Sequence, residues 1–81
     1  MKTYYTNYSH AWRIIEAGNL HATRKEANEE ARFLNSNDAY YLPYIVARLV
    51  SPDRYTGEDV FRGYYVTYAG DTHLTDRRIT K

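Results

Sequence analysis

The sequence contains no cysteine, which excludes disulfide bonds and thiolate metal sites. Small secreted proteins usually depend on disulfides, so this absence favours a reducing compartment, and we expect a cytoplasmic protein. The N-terminus lacks the apolar core of a signal peptide, and no later segment approaches the ~18 apolar residues of a membrane span. We therefore expect neither export nor association with a membrane.

The sequence also lacks an excess of charge of one sign. Its eleven basic and ten acidic residues give a net charge of +1, which argues against a dedicated polyanion binder and against an acidic mimic of DNA. Eight of the eleven basic residues are arginines, and there are ten tyrosines. Arginine and tyrosine are enriched at protein interfaces, so this composition points to contact surfaces.

Catalytic and cofactor-binding motifs are missing as well. The four glycines are isolated, so no phosphate-cradling loop is formed, and no nucleophile elbow surrounds the adjacent Ser9 and His10. Glu26, Glu29 and Glu30 lie at the start of a predicted helix, where the helix dipole favours acidic residues without a catalytic role. We therefore predict a protein that is not an enzyme, with no catalytic residues and no cofactor.

The three histidines, His10, His21 and His73, do not show the spacing of a metal-binding motif. The closest local cluster is Asp71-x-His73-x-x-Asp76, in a segment with the composition of a polar hairpin. Histidines and carboxylates are ordinary in such hairpins. We interpret this cluster as solvated turn residues and predict no metal site.

The first structural segment, from Thr3 to Ala17, is open to two interpretations. With a period of two, Tyr8, His10, Trp12 and Ile14 fall on one face, which predicts a first strand, the interpretation we prefer. The alternative is a short helix with Ser9 as N-cap that runs through residues 11–16 and ends at Gly18 in the C′ position.

A helix is predicted to begin at Thr23. A threonine followed three residues later by a glutamate, Glu26, is the capping-box pattern. Ala27, Ala31 and Leu34 then recur with helical spacing and form a narrow stripe of mostly small side chains. The four turn-favouring residues 35–38 predict that the helix ends near Leu34 or residue 35.

Three further strands complete the predicted order β-α-β-β-β. The segment from Tyr40 to Val50 has the strongest strand composition, Ser51 to Asp59 is a polar loop, and Val60 to Ala69 reads as the next strand. Gly70 and Asp71 form a plausible tight turn into a fourth strand, Thr72 to Ile79, paired as a hairpin. The predicted fold class is α+β, a single domain over residues 1–81 with one helix on a mostly antiparallel sheet.

A chain of 81 residues is marginal in core size, because only about 60% of its unfolded surface is buried on folding. One small sheet cannot bury ten tyrosines, so part of the aromatic surface should be exposed. We predict a protein-binding surface built from tyrosines and arginines of the sheet and of the loop from Ser51 to Asp59. Its candidate residues are Tyr40, Tyr41, Tyr44, Arg48, Arg54 and Tyr55.

Two alternatives remain open. Tyrosines could stack bases while arginines hold phosphates, as in a single-stranded nucleic-acid platform. The candidates for this alternative are Arg62, Tyr64, Tyr65, Tyr68, Arg77 and Arg78. The other alternative is a small structural or accessory protein that forms a homodimer through an exposed strand edge.

The arrangement of several segments resembles small inhibitor proteins of phages and mobile elements, including anti-CRISPR proteins and phage inhibitors of host RNA polymerase. The segments that carry the resemblance are Trp12-Arg13-Ile14-Ile15-Glu16, Ala22 to Ala27 leading to Ala31, Tyr44 to Leu49, and the predicted hairpin from Gly63 to Ile79. The resemblance implies a phage-encoded protein in the cytoplasm of a bacterial host. It further implies that the protein occludes a site on a host protein or ribonucleoprotein complex by surface contact, without turnover.

Overall fold

The computed structural model describes residues 1–37 and 43–76. These residues form a sheet with helices packed on it, which confirms the α+β class. The elements are β1 (Thr3–Tyr5), α1 (Tyr8–Glu16), β2 (Leu20–His21), α2 (Arg24–Asn37), β3 (Tyr44–Pro52), β4 (Asp59–Tyr68) and β5 (Leu74–Thr75). The order therefore contains a helix and a short strand more than the sequence predicted.

The five strands form one mixed sheet in the order β2-β4-β3-β1-β5. The long hairpin of β3 and β4 is its centre, β1 runs parallel to β3, and the other pairs are antiparallel. Between Leu49 and Val50 the register slips, so that Leu49 faces Gly63 while Val50 faces Phe61. Arg62 is therefore the extra residue of a β-bulge, which re-aims its side chain.

Helix α1 covers one face of the sheet and closes the main core. Ala11 and Ile14 of α1 pack with Tyr4 of β1 and with Ala47 and Leu49 of β3, and all five are buried. These side chains share a face because alternate residues of a strand point the same way.

Helix α2 lies against the other face. His21 pairs with Tyr64, and Tyr64 with Arg48, so these three residues share the face opposite to Leu49. The Nε2 atom of His21 contacts Oε1 of Glu30 on α2. The connections from β1 to β2 and from β2 to β3 cross the sheet in opposite directions, and right-handed crossovers then place their helices on opposite faces.

The predicted strand through Tyr8 and Ile14 is wrong, and the alternative helix is correct. Helix α1 begins after Asn7, whose side-chain oxygen accepts a 2.8 Å hydrogen bond from the backbone N–H of His10. It ends at Glu16 with Ala17 as C-cap, and Gly18 follows in the predicted C′ position, with a positive φ of 78° and a backbone N–H that donates to the carbonyl of Ile15 at 3.0 Å. The N-cap is Asn7 and not Ser9, because Asn7 is the residue with extended backbone geometry.

Helix α2 begins as predicted but continues beyond the predicted end. The backbone N–H of Glu26 donates to the hydroxyl of Thr23 at 3.2 Å, which confirms the capping interaction. The helix ends at Asn37, and the side chains of Ser36 and Asn37 donate to the carbonyls four residues earlier, so these turn-favouring residues lie within the last turn.

The last strand is placed differently from the prediction. Strand β5 pairs with β1 instead of forming a hairpin with β4. The turn at Asp71 bends the chain, because the Asp71 side chain accepts from the backbone N–H of His73 and its carbonyl accepts from that of Leu74. The chain thereby leaves β4 and reaches the opposite edge of the sheet, and the predicted end of this strand at Ile79 lies outside the described residues.

Candidate functional site

One end of the sheet carries a group of exposed and half-buried aromatic and arginine side chains. We call it the Arg–Tyr surface. It consists of Tyr8 and Trp12 from α1, Arg54 and Tyr55 from the β3–β4 loop, and Arg62 from β4.

Helix α1 contributes two aromatic side chains that contact each other to this surface. Tyr8 and Trp12 are four residues apart, which puts them on the same side of the helix. Their ring centroids are 6.1 Å apart in an edge-to-face arrangement. Tyr8 is half-buried, whereas Trp12 keeps 40% of its surface exposed, an unusual position for a large apolar ring.

The loop that carries Tyr55 is held in shape by Asp53. The Asp53 carboxylate accepts hydrogen bonds from the backbone N–H groups of Tyr55 at 2.8 Å and Thr56 at 2.9 Å. These backbone hydrogen bonds, first that from Thr56, lower the pKa of Asp53 below its usual value. The backbone N–H of Asp53 also donates to the carbonyl of Glu58 at 2.7 Å. Tyr55, 86% exposed, therefore projects from an ordered turn.

Both arginines of the surface lie against the same tyrosine ring. The guanidinium carbon of Arg54 is 5.9 Å from the centroid of the Tyr8 ring, and that of Arg62 is 5.8 Å away. Arg54 also lies 5.7 Å from the ring centroid of Tyr55, so it links the helix to the loop. These distances are within the range of cation–π attraction.

Two in-chain acceptors fix Arg62. Its Nε donates to the hydroxyl of Ser51 at 2.9 Å, and its Nη2 donates to the carbonyl of Pro52 at 3.3 Å. Neither Arg62 nor Arg54 forms an ion pair with any residue of the described ranges 1–37 and 43–76. The surface thus holds two cations that are not neutralised by direct contact with a carboxylate.

The predicted protein-binding residues do not all meet. Arg54 and Tyr55 lie on the Arg–Tyr surface. Tyr44 is the first residue of β3, and the strand extends roughly 26 Å from it to Pro52, next to the loop that carries Arg54 and Tyr55. The backbone of Tyr44 exchanges hydrogen bonds with the side chain of Asn35 on α2. Arg48 is exposed on the face opposite to α1. Tyr40 and Tyr41 lie outside the described residues.

The residues predicted for nucleic-acid binding are also divided. Tyr65 packs edge-to-face on Tyr4, with ring centroids 4.9 Å apart, and burial raises the pKa of both hydroxyls. Tyr64 faces the other way and packs on Phe61 at 5.3 Å. Tyr68, at the end of β4, is exposed. Arg62 belongs to the Arg–Tyr surface, and Arg77 and Arg78 are outside the described ranges.

Sequence reasoning missed Tyr8 and Trp12. The period-two interpretation placed both in a strand, where they would have been expected to pack in a sheet. The signal that could have found them is Asn7, a favoured N-cap residue that makes Tyr8 and Trp12 an i,i+4 helical pair.

A second polar cluster lies beneath the start of α1. His73 stacks on Tyr4 at 4.8 Å, and its ring centroid is 5.3 Å from that of His10. Asp71 accepts hydrogen bonds from the Thr67 hydroxyl at 2.6 Å and from the backbone N–H of His73 at 2.9 Å. Burial opposes the ionisation of Asp71, but these hydrogen bonds outweigh it and lower the pKa of the carboxyl.

The interpretation of the Asp71, His73 and Asp76 cluster as solvated residues holds for His73 and Asp76, whose side chains are 41% and 87% exposed, but not for Asp71, whose side chain is only 13% exposed. The Oδ1 atom of Asp76 lies 3.6 Å from Nζ of Lys2. Among the described residues, no group of three or more histidines and carboxylates is arranged to hold a metal ion.

Comparison of the chain with known protein families, with curated proteins and with solved structures found no match. No helix within the described part of the chain is long and apolar enough to cross a membrane.

Proposed function

We propose that this protein works by binding, without catalysis, and that the Arg–Tyr surface docks on a protein partner. The observation that carries the proposal is the exposure of Trp12 and Tyr55 on either side of two arginines that have no carboxylate partner among the described residues. Tryptophan, tyrosine and arginine are the residues that contribute most of the energy at protein interfaces.

The side chains of this surface are held in place by contacts within the protein, which supports a role in binding. Asp53 holds the turn beneath Tyr55, Ser51 holds Arg62, and helix α1 holds Tyr8. Side chains that are already positioned lose less conformational entropy when a partner binds, so more of the contact energy is available as affinity.

The division of the tyrosines favours a protein over a nucleic acid as the partner. A base-stacking platform needs several aromatic rings exposed on one face. Tyr64 and Tyr65 point to opposite faces, and Tyr65 is packed on Tyr4. The exposed rings Trp12 and Tyr55 lie instead at the end of the sheet, where they can enter pockets of a protein surface.

The proposed consequence of binding is inhibition. In this proposal, which follows the resemblance to phage and mobile-element inhibitors, the partner is a host protein or ribonucleoprotein complex that processes nucleic acid, such as a CRISPR effector. The protein blocks a site on that complex by occupying it.

Affinity capture from a bacterial lysate tests this function. The tagged protein, its Trp12→Ala/Tyr55→Ala double variant and a Phe33→Ala control are used with and without nuclease. Phe33 is a matched control because it is 64% exposed but lies on α2. We expect a discrete protein complex that survives nuclease, is lost with the double variant and is retained by the control.

Recovery only in the absence of nuclease would contradict the protein-binding function and support nucleic-acid binding. Equal recovery by the double variant and the intact protein would show that the Arg–Tyr surface is not the docking surface. Circular dichroism of each variant establishes that the compared proteins are folded.

A further inference from the structure

The chemistry of the Arg–Tyr surface indicates what kind of group it binds. The Arg62 guanidinium is fixed along one side by the hydroxyl of Ser51 and the carbonyl of Pro52, and it lies against the Tyr8 ring. Both in-chain acceptors are neutral. The positive charge of Arg62 is therefore oriented by the fold but not neutralised by a contact within the described residues.

Arg54 adds a second charge at the same ring. It is exposed and lies between the rings of Tyr8 and Tyr55. Stacking on aromatic faces leaves the edge of a guanidinium free to donate hydrogen bonds, and that edge matches the two oxygens of a carboxylate.

Two of the three carboxylates in and beside the β3–β4 loop accept hydrogen bonds from groups other than the arginines. Backbone hydrogen bonds, and to a smaller extent the charge of Arg62, lower the pKa of Asp53, but Asp53 and Arg62 form no ion pair. Asp53 accepts from two backbone N–H groups of its own loop, and Asp59 accepts a 2.7 Å hydrogen bond from the hydroxyl of Tyr5. Glu58, the remaining acidic residue of this region, is exposed and forms no ion pair with any described residue. An external anion can therefore reach both arginines without displacing an internal ion pair of the described ranges.

We propose that Arg54 and Arg62 form an anion clamp on the Tyr8 ring, and that the clamp binds carboxylate side chains of an acidic segment in the partner protein. This inference rests on the proposed function and names the chemistry of the partner. The carboxylates of Asp53, Glu58 and Asp59 lie in the same region and repel any anion. The clamp therefore suits one or two carboxylates on flexible side chains, which can turn toward the guanidinium edges, better than a row of phosphates spaced by a backbone. The exposed rings of Trp12 and Tyr55 supply apolar contact beside the clamp.

An NMR titration tests the clamp directly. The probe is a hexaglutamate peptide capped at both ends, added to ¹⁵N-labelled protein while the arginine Nε–Hε signals are recorded. We expect saturable shifts of the Arg54 and Arg62 signals, with an apparent affinity that falls as salt is raised, because the contact is between exposed charges. Thymidine hexanucleotide serves as the nucleic-acid probe and is expected to bind more weakly.

Variants distinguish the clamp from general attraction to a basic protein. Arg54→Gln should weaken hexaglutamate binding about fivefold, which is the size expected for one exposed charge pair. Arg62→Lys keeps the charge but loses the fixed planar group, and it should also weaken binding. Arg32→Gln, which removes an exposed arginine from α2, is the matched control and should leave the affinity unchanged.

The clamp is overturned if hexaglutamate does not shift the two arginine signals, if the control weakens binding as much as Arg54→Gln, or if the oligonucleotide binds more tightly. These failures are distinguishable from failure of the proposed function. Capture that still depends on Trp12 and Tyr55 would retain the docking surface and remove only the acidic character of its partner.

Discussion

The hydroxyl of Thr67 donates a 2.6 Å hydrogen bond to Oδ2 of Asp71, and this contact joins the end of β4 to the turn that leads to β5. Thr67 is buried, so its hydroxyl has little access to water. Asp71 also accepts from the backbone N–H of His73. One carboxylate therefore holds the turn that carries the chain across to β1.

Replacing this carboxylate should destabilise the fold. Asp71→Ala removes the acceptor from the buried Thr67 hydroxyl and from His73, and we expect a loss of about 1–3 kcal/mol in the free energy of unfolding. Chemical denaturation measures the effect. Asp76→Asn is the control, because the ion pair that it removes, between Asp76 and Lys2 at 3.6 Å, is exposed and contributes little to stability. A change in stability as large as that of Asp71→Ala would contradict the account.

The same carboxylate should make stability depend on pH. Because the pKa of Asp71 in the folded protein is lowered from 3.8, the ionised form stabilises the fold better than the protonated form. Its contribution is present above the unfolded pKa and is lost as the pH falls through the lower folded pKa. Below this range Asp71→Asn should approach the intact protein in stability, and thermal unfolding from pH 7 to pH 2 measures the convergence. A constant difference across that range would count against the assignment.

The N-cap of α1 gives a third prediction. Asn7→Ala removes the side-chain oxygen that accepts from the backbone N–H of His10, and it should cost about 1 kcal/mol of stability. Ser9→Ala is the matched control, since Ser9 is exposed and lies inside the helix, and it should change stability by less than about 0.5 kcal/mol. A larger effect at Ser9 than at Asn7 would instead identify Ser9 as the N-cap, as in the alternative helix interpretation of the sequence.

Gly63 allows close packing of β2 on β4. A Cβ at this position would lie 2.9 Å from the carbonyl oxygen of His21 and 2.9 Å from Cγ of Leu20, and the backbone φ of 150° disfavours other residues. Gly63→Ala should therefore cost about 1–3 kcal/mol. Gly70→Ala, where the nearest atoms are 3.4 Å away in the Tyr68 ring, should be tolerated much better; equal melting temperatures for the two variants would refute this explanation.

Local signals in the sequence predicted the helix at Thr23 and the two long strands, which the structure pairs as the central β3–β4 hairpin. The capping contact between Thr23 and Glu26 lies within one helical turn, and each long strand is rich in strand-favouring residues, so both signals can be read from neighbouring residues. The pairing of β5 with β1 joins residues about seventy positions apart in the chain, and no local pattern reports such a contact. The first segment was misassigned because Tyr8, His10, Trp12 and Ile14 satisfy a period of two. In the helix these residues do not share one face, since Ile14 is buried with Ala11 while Trp12 is exposed.

The candidate site could be predicted only in part, because local patterns identify some of its residues but not the contacts that bring the others to them. Arg54 and Tyr55 stand in a polar loop, and the composition of that loop is enough to identify them as exposed. Arg62 joins them because it is the bulge residue of β4 and its side chain is turned accordingly, and a bulge of this kind is visible only in the strand register. Tyr8 and Trp12 require the correct assignment of α1.

The most direct test of the proposed docking surface is the affinity of the captured partner for purified variants, measured by isothermal titration calorimetry. Trp12→Ala and Tyr55→Ala should each weaken binding about 30-fold, as expected for an interface hot spot, while both variants keep the unfolding transition of the intact protein. Phe33→Ala should bind as the intact protein does. Folded Trp12→Ala and Tyr55→Ala variants with unchanged affinity would contradict the account.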